Sequence, residues 1–242
     1  MSSMLTVCTD PEALSHAAAE LFADTARRAV QACGRFSVAL AGGSTPRRTY
    51  ELLGQEPLRT LVPWRHTHIF WGDERCVPVD DPRNNARMAR QALLDHVPVP
   101  PEQIHPMVGD GSPQEAAAKY EALLHSFFAA GRSRFDLILL GLGENGHTAS
   151  LFPGAAVLEE RQHWVGQVYV AEEGLHRLTL TAAAINQAAL VVFLVSGEGK
   201  GPILQEVLAE KARDPATIPA LLIKPEDGRL LWLVDRGAAR LL

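Results

Sequence analysis

The stretch FDLILLGLGENGHTASLFPG, residues 135–154, decides the fold. Its apolar run Leu137–Leu140 is short and unbroken, which is typical of a strand buried on both faces of a parallel sheet. Three glycines follow within six residues, and glycine allows tight turns and a close approach of the backbone to a ligand. His147 comes next, and histidine moves protons readily near neutral pH. The stretch therefore predicts a proton carrier at the mouth of a parallel sheet, where α/β proteins bind ligands.

The glycines of this loop also have a second interpretation. Gly141, Gly143 and Gly146 spell G-x-G-x-x-G, the pattern of a dinucleotide-binding turn. That turn requires a long helix after it and an acidic residue at the end of the next strand. Pro153 limits any helix here to about two turns, and the acidic pair at residues 159–160 precedes the next apolar run. The context disfavours nicotinamide or flavin binding, while a plain structural turn with an exposed histidine stays open.

Short apolar runs alternate with helical patterns along the chain. Strands are predicted at residues 36–41, 68–71, 137–140, 165–170, 190–195 and 230–234. Helices are predicted at residues 11–32, from the turn at 42–46 to 53, and at 84–96, 113–130 and 199–210. This alternation predicts an α/β fold whose mostly parallel sheet is covered by helices on both faces. Without a linker or repeat, residues 1–242 should form a single domain, with room for a small irregular lobe near 76–110.

The composition excludes several classes of protein. The chain has 242 residues, 47% of them hydrophobic, and a net charge of -5 with no basic stripe, which argues against a nucleic-acid partner. An anionic substrate would therefore have to be held by a local cluster of basic residues. The three cysteines match no zinc spacing and the nine histidines include no H-E-x-x-H, so no metal site is expected.

The same features bear on where the protein works. An odd number of unpatterned cysteines is typical of reduced thiols in the cytoplasm. No apolar run approaches the roughly 18 residues of a membrane span, and the N-terminus lacks a signal-peptide core. We therefore expect a cytoplasmic protein that does not bind a membrane.

The first polar loop that could bind a ligand is the turn of Gly43, Ser44 and Thr45. It follows the predicted strand at 36–41 and opens a helix, so its backbone N–H groups and the helix dipole suit a phosphate. The G-K-[ST] ending of a P-loop is absent. The alternative is an ordinary helix start capped by serine or threonine.

Two further loops carry cations. Asp73, Glu74 and Arg75 follow the strand at 68–71, and arginine matches a phosphate or carboxylate bidentately. The two acids could orient Arg75 or touch sugar hydroxyls, or the cluster could pair with itself on the surface. Lys200 stands at the start of a helix, where a cation opposes the dipole unless an anion is bound beside it. A solvated lysine is the alternative.

The fourth loop carries His147 with Asn145 and Glu144 before it. Asn145 or a backbone carbonyl could hold one ring nitrogen and fix the tautomer. No G-x-S-x-G marks a serine nucleophile, so a water activated by His147 is the simpler chemistry. All four loops follow predicted strands, whose carboxyl ends share one edge of a parallel sheet. They are therefore expected to converge on one crevice, with one phosphate-binding corner and one base.

Five segments resemble motifs of a known family, the 6-phosphogluconolactonases. They are LAGGSTP at 40–46, WGDER at 71–75, GHTASLFP at 146–153, RLTLT at 177–181 and GEGK at 197–200. The resemblance runs in order from about residue 13 to about residue 239. It implies a modified doubly wound, Rossmann-like fold shared with glucosamine-6-phosphate deaminases. It also implies hydrolysis of 6-phospho-D-glucono-1,5-lactone to 6-phosphogluconate in the oxidative pentose phosphate pathway.

The resemblance assigns roles to particular residues. Its catalytic candidates are His147, as the general base that activates water, and Asp73. Its substrate-binding candidates are Gly43, Ser44, Thr45, Arg75, Asn85, Asn145, Arg177 and Lys200. The partner it implies is a small phosphorylated sugar lactone, with no metal and no organic cofactor, and nothing in the sequence names a protein partner.

Two positions depart from the family pattern. Many members carry aspartate where this chain has Asn145, and an asparagine orients His147 without raising its basicity. Asp73 or Glu144 could compensate for that loss. Asn84 replaces a more usual serine, with little expected effect.

Two rival functions remain at this stage. A glucosamine-6-phosphate deaminase carries a glutamate five residues after the histidine, for ring opening. Here that position is Phe152, which cannot transfer a proton. A non-catalytic sugar-phosphate sensor would keep Arg75 and Lys200 but would not need His147.

Overall fold

The computed structural model describes residues 4–107, 111–129, 134–209 and 213–242. The strands in these ranges are β1 (Met4–Cys8), β2 (Phe36–Leu40), β3 (Thr67–Trp71), β4 (Asp73–Arg75), β5 (Leu137–Leu140), β6 (Val165–Val170), β7 (Leu175–Leu180), β8 (Leu190–Val195) and β9 (Arg229–Asp235). The α-helices are α1 (Pro11–Cys33), α2 (Ser44–Leu53), α3 (Leu58–Leu61), α4 (Asn85–Ala89), α5 (Pro113–Ala129), α6 (Ala182–Asn186) and α7 (Gly201–Leu208).

Six strands form a parallel sheet in the order β1-β9-β8-β5-β2-β3. Every residue of β2, β5 and β8 is buried, as their unbroken apolar runs predict. The predicted strands at 36–41, 68–71, 137–140, 190–195 and 230–234 are confirmed as β2, β3, β5, β8 and β9. The edge strand β1 was not predicted, because it is short and largely exposed and so lacks a buried pattern.

The order of the strands shows that the sheet is doubly wound. From β1 to β2 and on to β3 the chain moves towards one edge of the sheet, whereas from β3 through β5 and β8 to β9 it moves towards the other. Right-handed crossovers in opposite directions place their helices on opposite faces. The direction reverses between the neighbours β2 and β5, which makes this pair the switch point of the fold.

Aromatic contacts confirm that both faces are covered. Phe22 of α1 packs edge-on against Phe36, with 5.3 Å between the ring centroids. Phe128 of α5 stacks on Phe70, at 6.4 Å between the centroids. Ala39 pairs with Phe70 in the parallel register and lies three residues from Phe36, so Phe36 and Phe70 point to opposite faces of the sheet. α1 and α5 therefore pack on different faces.

A second, antiparallel sheet has the order β4-β7-β6. The strand predicted at 165–170 is confirmed as β6, although it belongs to this sheet and not to the parallel one. β4 and β7 were not predicted, because β4 has three charged residues and β7 carries polar side chains that the fold buries. Residues 76–84 and 95–107 contain no strand or α-helix, in keeping with an irregular lobe. Positions 108–110 of that predicted lobe lie outside the described residues.

The predicted helices are largely confirmed. The helix predicted at 84–96 appears as α4 followed by the π-helical turn Arg90–Leu94. The helices predicted at 113–130 and 199–210 appear as α5 and α7, and their predicted last positions, 130 and 210, lie outside the described residues. In the part of the chain that is described, no helix combines the length and the apolar character needed to cross a membrane.

The central position of β5 predicts a large effect of truncating its side chains. Leu137 in β5 is 0% exposed, whereas Leu5 in the edge strand β1 is 44% exposed. Leu137→Ala should lower the free energy of unfolding by about 2–5 kcal/mol, and Leu5→Ala by less than about 1 kcal/mol. Urea unfolding monitored by circular dichroism measures both. Equal losses would contradict the burial of β5.

Candidate active site

The four loops predicted to carry the site meet at the carboxyl edge of the parallel sheet. They follow β2, β3, β5 and β8 and surround a cavity of about 250 Å³. The predicted site residues that line it are Gly43, Asp73, Arg75, Asn85, His147, Arg177 and Lys200. The cavity lies where β2 and β5 diverge, which is where doubly wound sheets bind ligands. The predicted convergence on one crevice is therefore confirmed.

Asn145 holds His147 in one tautomer. Its Oδ1 lies 2.6 Å from Nδ1 of His147 and 3.2 Å from the backbone nitrogen of the same residue. A backbone N–H can only donate, so the amide atom that receives it is the oxygen, and this oxygen requires the imidazole proton on Nδ1. Nε2 of His147 is therefore the nitrogen with a lone pair, able to accept a proton.

Two neighbours fix the position of the imidazole ring. A Cβ at position 143 would lie 2.1 Å from Nδ1 and 2.3 Å from Cε1 of His147, so the ring occupies the space that a side chain at Gly143 would need. Phe152 stacks on the ring, with 4.4 Å between centroids and 28° between planes. The glycine at 143 thus allows the imidazole of His147 to pack closely against the backbone.

The environment keeps His147 neutral. Burial lowers the pKa of His147 below its ordinary value of 6.5, and the nearby charges of Arg177 and Lys200 lower the pKa further. Asp73 and Glu173 raise the pKa, but they do not reverse the direction. At neutral pH the imidazole is therefore mostly in the form that can act as a base.

Glu74 is part of the scaffold. It is 1% exposed, and its Oε1 accepts the backbone N–H groups of Arg75 and Asn85 while Oε2 accepts that of Ala86, each at 2.8 Å. Burial raises the pKa of Glu74 to about 7, although these three donors favour the charged form. With both oxygens engaged by backbone groups, Glu74 does not reach the cavity. Glu74 fixes the backbone that carries Arg75, and of the two acids only Asp73 lines the cavity.

Arg75 keeps its charge available for a ligand. Its Nη1 donates to Asn85 Oδ1 at 2.6 Å and to the carbonyl of Arg83 at 3.0 Å. Its Nε is buried without a hydrogen-bond partner, and none of the described carboxylates lies within ion-pair distance of its guanidinium. Asn85 Nδ2 donates to the carbonyl of Asp73 at 2.9 Å, which ties this group to β4.

The turn at Gly43 presents unpaired backbone donors. Gly43 precedes α2 with a φ of 105°, a conformation that favours glycine, and no side chain caps the helix. The alternative in which Ser44 or Thr45 caps α2 is therefore wrong. Ser44 and Thr45 are the first helical residues, whose N–H groups have no acceptor within a helix. Together with the helix dipole they suit an anion.

Arg177 is already neutralised. Its Nη1 lies 3.7 Å from Oδ2 of Asp73, and its Nη2 pairs with Glu173. Ser150 donates its hydroxyl to the same Asp73 oxygen at 2.7 Å. Arg177 lies directly opposite Arg75 across β4 and β7, so the two arginines share one wall of the site with different charge balances.

Lys200 enters the cavity from the turn before α7. Its Nζ lies 3.9 Å from Oε1 of Glu144, whose side chain is 73% exposed. Glu144 therefore lies beside Lys200 and does not contact the imidazole of His147, so it does not compensate for the amide of Asn145. The charge of Asp73 does raise the pKa of His147, which is the effect that a carboxylate at position 145 would have.

Sequence reasoning missed two members of the site, Ser150 and Glu173. Ser150 is fully buried and lies within the histidine loop, but its partner Asp73 is 77 residues away in the chain. Glu173 lies in the turn between β6 and β7, and β7 was not predicted. The backbone just before Ser150 is unusual, because the non-glycine residue Ala149 has a φ of 47°. This local feature could not have been used, because backbone angles cannot be read from the sequence.

This fold and this cavity define a class of protein, an α/β enzyme whose crevice brings one imidazole together with a cluster of cationic side chains. A family model described as glucosamine-6-phosphate isomerases/6-phosphogluconolactonase matches residues 9–232. The chain belongs to this family.

Individual relatives agree with the family match. A 6-phosphogluconolactonase of Synechocystis sp. is 46% identical over 217 residues, covering 87% of this chain and 86% of that protein. One of Nostoc sp. is 40% identical over 242 residues, covering 98% of both. The solved structure of the 6-phosphogluconolactonase from Trypanosoma cruzi has a TM-score of 0.87 at 29% identity, covering 100% of this chain and 97% of that one.

The contact between Gly143 and His147 predicts a sharp effect of one methyl group. Gly143→Ala should displace the imidazole from Asn145 and lower kcat by roughly 10²-fold, as misplacement of a catalytic group does. Gly141→Ala changes the same loop, but its Cβ would meet no atom within 4 Å. Gly141→Ala should therefore lower kcat far less than Gly143→Ala does. Equal kcat losses for both variants would contradict the close approach at Gly143.

Proposed function

We propose that this protein hydrolyses 6-phospho-D-glucono-1,5-lactone to 6-phosphogluconate, a step of the oxidative pentose phosphate pathway. One observation carries the proposal: the lone pair on Nε2 of His147 shares a small cavity with two cations, Arg75 and Lys200. The relatives at 46% and 40% identity, which bear the name of this activity, support it.

In the proposed reaction, Nε2 of His147 takes a proton from a water molecule while the water oxygen attacks the carbonyl carbon of the lactone. The tetrahedral intermediate then expels the ring oxygen, which receives the proton from the imidazolium. Asn145 steadies the ring throughout by accepting from Nδ1. A δ-lactone is an activated ester, so a single base, which contributes about 10²–10⁴-fold, is sufficient chemistry.

The phosphate of the substrate is proposed to bind Arg75, Lys200 and the backbone N–H groups at Gly43, Ser44 and Thr45. Arg75 has no carboxylate partner among the described residues, and the turn has no side-chain cap. This local cluster can hold an anion although the whole chain carries a charge of -5.

The sugar ring is proposed to lie against Asp73, Asn85 and Arg177. Asp73 and Arg177 compensate one another, and both line the cavity. A compensated pair offers hydrogen bonds to hydroxyl groups without adding net charge.

Two rivals fit the geometry less well. A deaminase needs an acidic group where Phe152 stacks on the imidazole of His147, and a phenyl ring cannot transfer a proton. A non-catalytic sensor has no use for an imidazole with its tautomer fixed and its pKa lowered. We further propose that residues 1–242 act as a single lactonase domain in the cytoplasm, with a phosphorylated sugar lactone as the small-molecule partner.

The function is tested by following freshly generated lactone above its spontaneous rate of hydrolysis. His147→Ala should lower kcat by about 10²–10⁴-fold, because it removes the general base. His163→Ala is the control, since this histidine is 65% exposed and pairs with Glu121 away from the cavity. If the wild-type protein did not exceed the spontaneous rate while still binding 6-phosphogluconate, the sensor would replace the lactonase.

The lowered pKa of His147 predicts a pH profile. Activity should fall as the pH drops through that pKa, because protonation removes the base, and the fall should lie below the ordinary histidine value of 6.5. Asn145→Asp places a carboxylate on Nδ1, which favours the imidazolium and should shift the fall to higher pH by about one unit. Measurements of kcat/KM between about pH 5 and 8 would show both effects. A profile that did not move in Asn145→Asp would rule out His147 as the titrating base.

A further inference from the structure

One buried carboxylate at the end of β9, that of Asp235, accepts hydrogen bonds from the turn that carries Lys200. Asp235 is 2% exposed, and its Oδ2 accepts the hydroxyl of Ser196 at 2.6 Å. The backbone nitrogen of Gly197 lies 3.1 Å from Oδ1 and 3.0 Å from Oδ2, and Oδ1 also accepts the N–H of Ala238 at 2.7 Å. No cation of the described residues forms an ion pair with Asp235, so its hydrogen bonds to the turn hold it in place.

A short chain of contacts links this carboxylate to Lys200. Gly197, which Asp235 binds, accepts the backbone N–H of Lys200 at 3.0 Å. Gly197 has a φ of 99°, a conformation that favours glycine at the position after Ser196. A Cβ at Gly237 would lie 3.3 Å from both Oδ1 of Asp235 and the nitrogen of Glu198, which shows how closely β9 and the turn approach.

We propose that Asp235 is a positioning residue for the phosphate of the substrate, acting through Lys200. A lysine side chain is a flexible stem with a point charge, so the protein controls the ammonium mainly through the backbone from which it starts. Asp235 fixes that backbone, and the fixed backbone directs the side chain of Lys200 into the cavity. The inference rests on the proposed function, in which Lys200 binds phosphate, and Asp235 itself does not line the cavity.

Asp235→Asn is the informative substitution. The amide is nearly the same size as the carboxylate, but its nitrogen can only donate. That nitrogen would therefore face a donor of the turn or of Ala238, and one hydrogen bond would be lost. We expect KM for the phosphorylated lactone to rise roughly tenfold while kcat changes by less than about threefold, because substrate binding and not the chemical step is affected. The contact between Asn145 and His147 is untouched, so any shift in the pH at which activity falls should come only from the displaced charge of Lys200, and it should be a small rise.

A double-mutant cycle with Lys200→Ala tests whether Asp235 acts through the lysine. If it does, Asp235→Asn should raise KM in the wild-type background and have almost no further effect when Lys200 is already removed. Asp136→Asn is the matched control. Asp136 is 7% exposed, and its Oδ2 accepts the N–H and the hydroxyl of Ser37 at the amino-terminal ends of the strands, away from the cavity. Asp136→Asn should lower the melting temperature without raising KM.

The outcomes separate this inference from the proposed function. A rise in KM that is independent of Lys200, or a loss of kcat at constant KM, would overturn the role of Asp235. If Lys200→Ala left KM unchanged, the phosphate contact of Lys200 would be wrong and the inference would fall with it, while wild-type turnover would still decide the lactonase. Should Asp235→Asn fail to fold, Ser196→Ala removes one of the same hydrogen bonds and is expected to raise KM about threefold.

Discussion

The structure depends on one topological constraint, the reversal of winding between β2 and β5. These neighbours hydrogen-bond to each other, yet the chain leaves β2 towards β3 and leaves β5 towards β8. Right-handed crossovers force the two departing loops onto opposite faces of the sheet. The space between them cannot be filled by either connection, and it is the cavity that holds His147, Arg75 and Lys200. The site thus follows from how the chain is wound, and the residues around it supply the chemistry.

Buried carboxylates then determine which charges remain available in that space. Glu74 and Asp235 use their oxygens on backbone N–H groups and hydroxyls, and so they fix the segments that carry Arg75 and Lys200 without neutralising either cation. Asp73 instead faces Arg177 and compensates it. Because an unpaired buried donor is costly, these arrangements stabilise the loops. They also leave Arg75 without a carboxylate partner among the described residues and Lys200 with only the exposed Glu144.

Much of this arrangement could be predicted from the sequence. Unbroken apolar runs located the buried strands β2, β5 and β8, and the polar loops after them located the site, because parallel strands end at one edge. The sequence did not reveal β4 and β7, since their polar side chains are buried only by pairing across the second sheet. Ser150 and Glu173 were missed for the same reason. Ser150 contacts Asp73, and Glu173 contacts Arg177, only once that sheet has formed. Local patterns therefore predicted positions well and long-range polar pairs poorly.

Asn145 stands where the family resemblance implies an aspartate, and an amide at this position is consistent with the rest of the site. A carboxylate would strengthen the base, but it would also raise the pKa of His147 and put more of it in the protonated form at a given pH. Burial and the charges of Arg177 and Lys200 already lower that pKa below its ordinary value, so the imidazole is a weaker proton acceptor but favours its neutral form. Proton transfer is most effective when the pKa lies near the working pH, which makes a low pKa a cost for difficult reactions. Hydrolysis of an activated lactone is not a difficult reaction, so a well-oriented neutral imidazole is compatible with the proposed function.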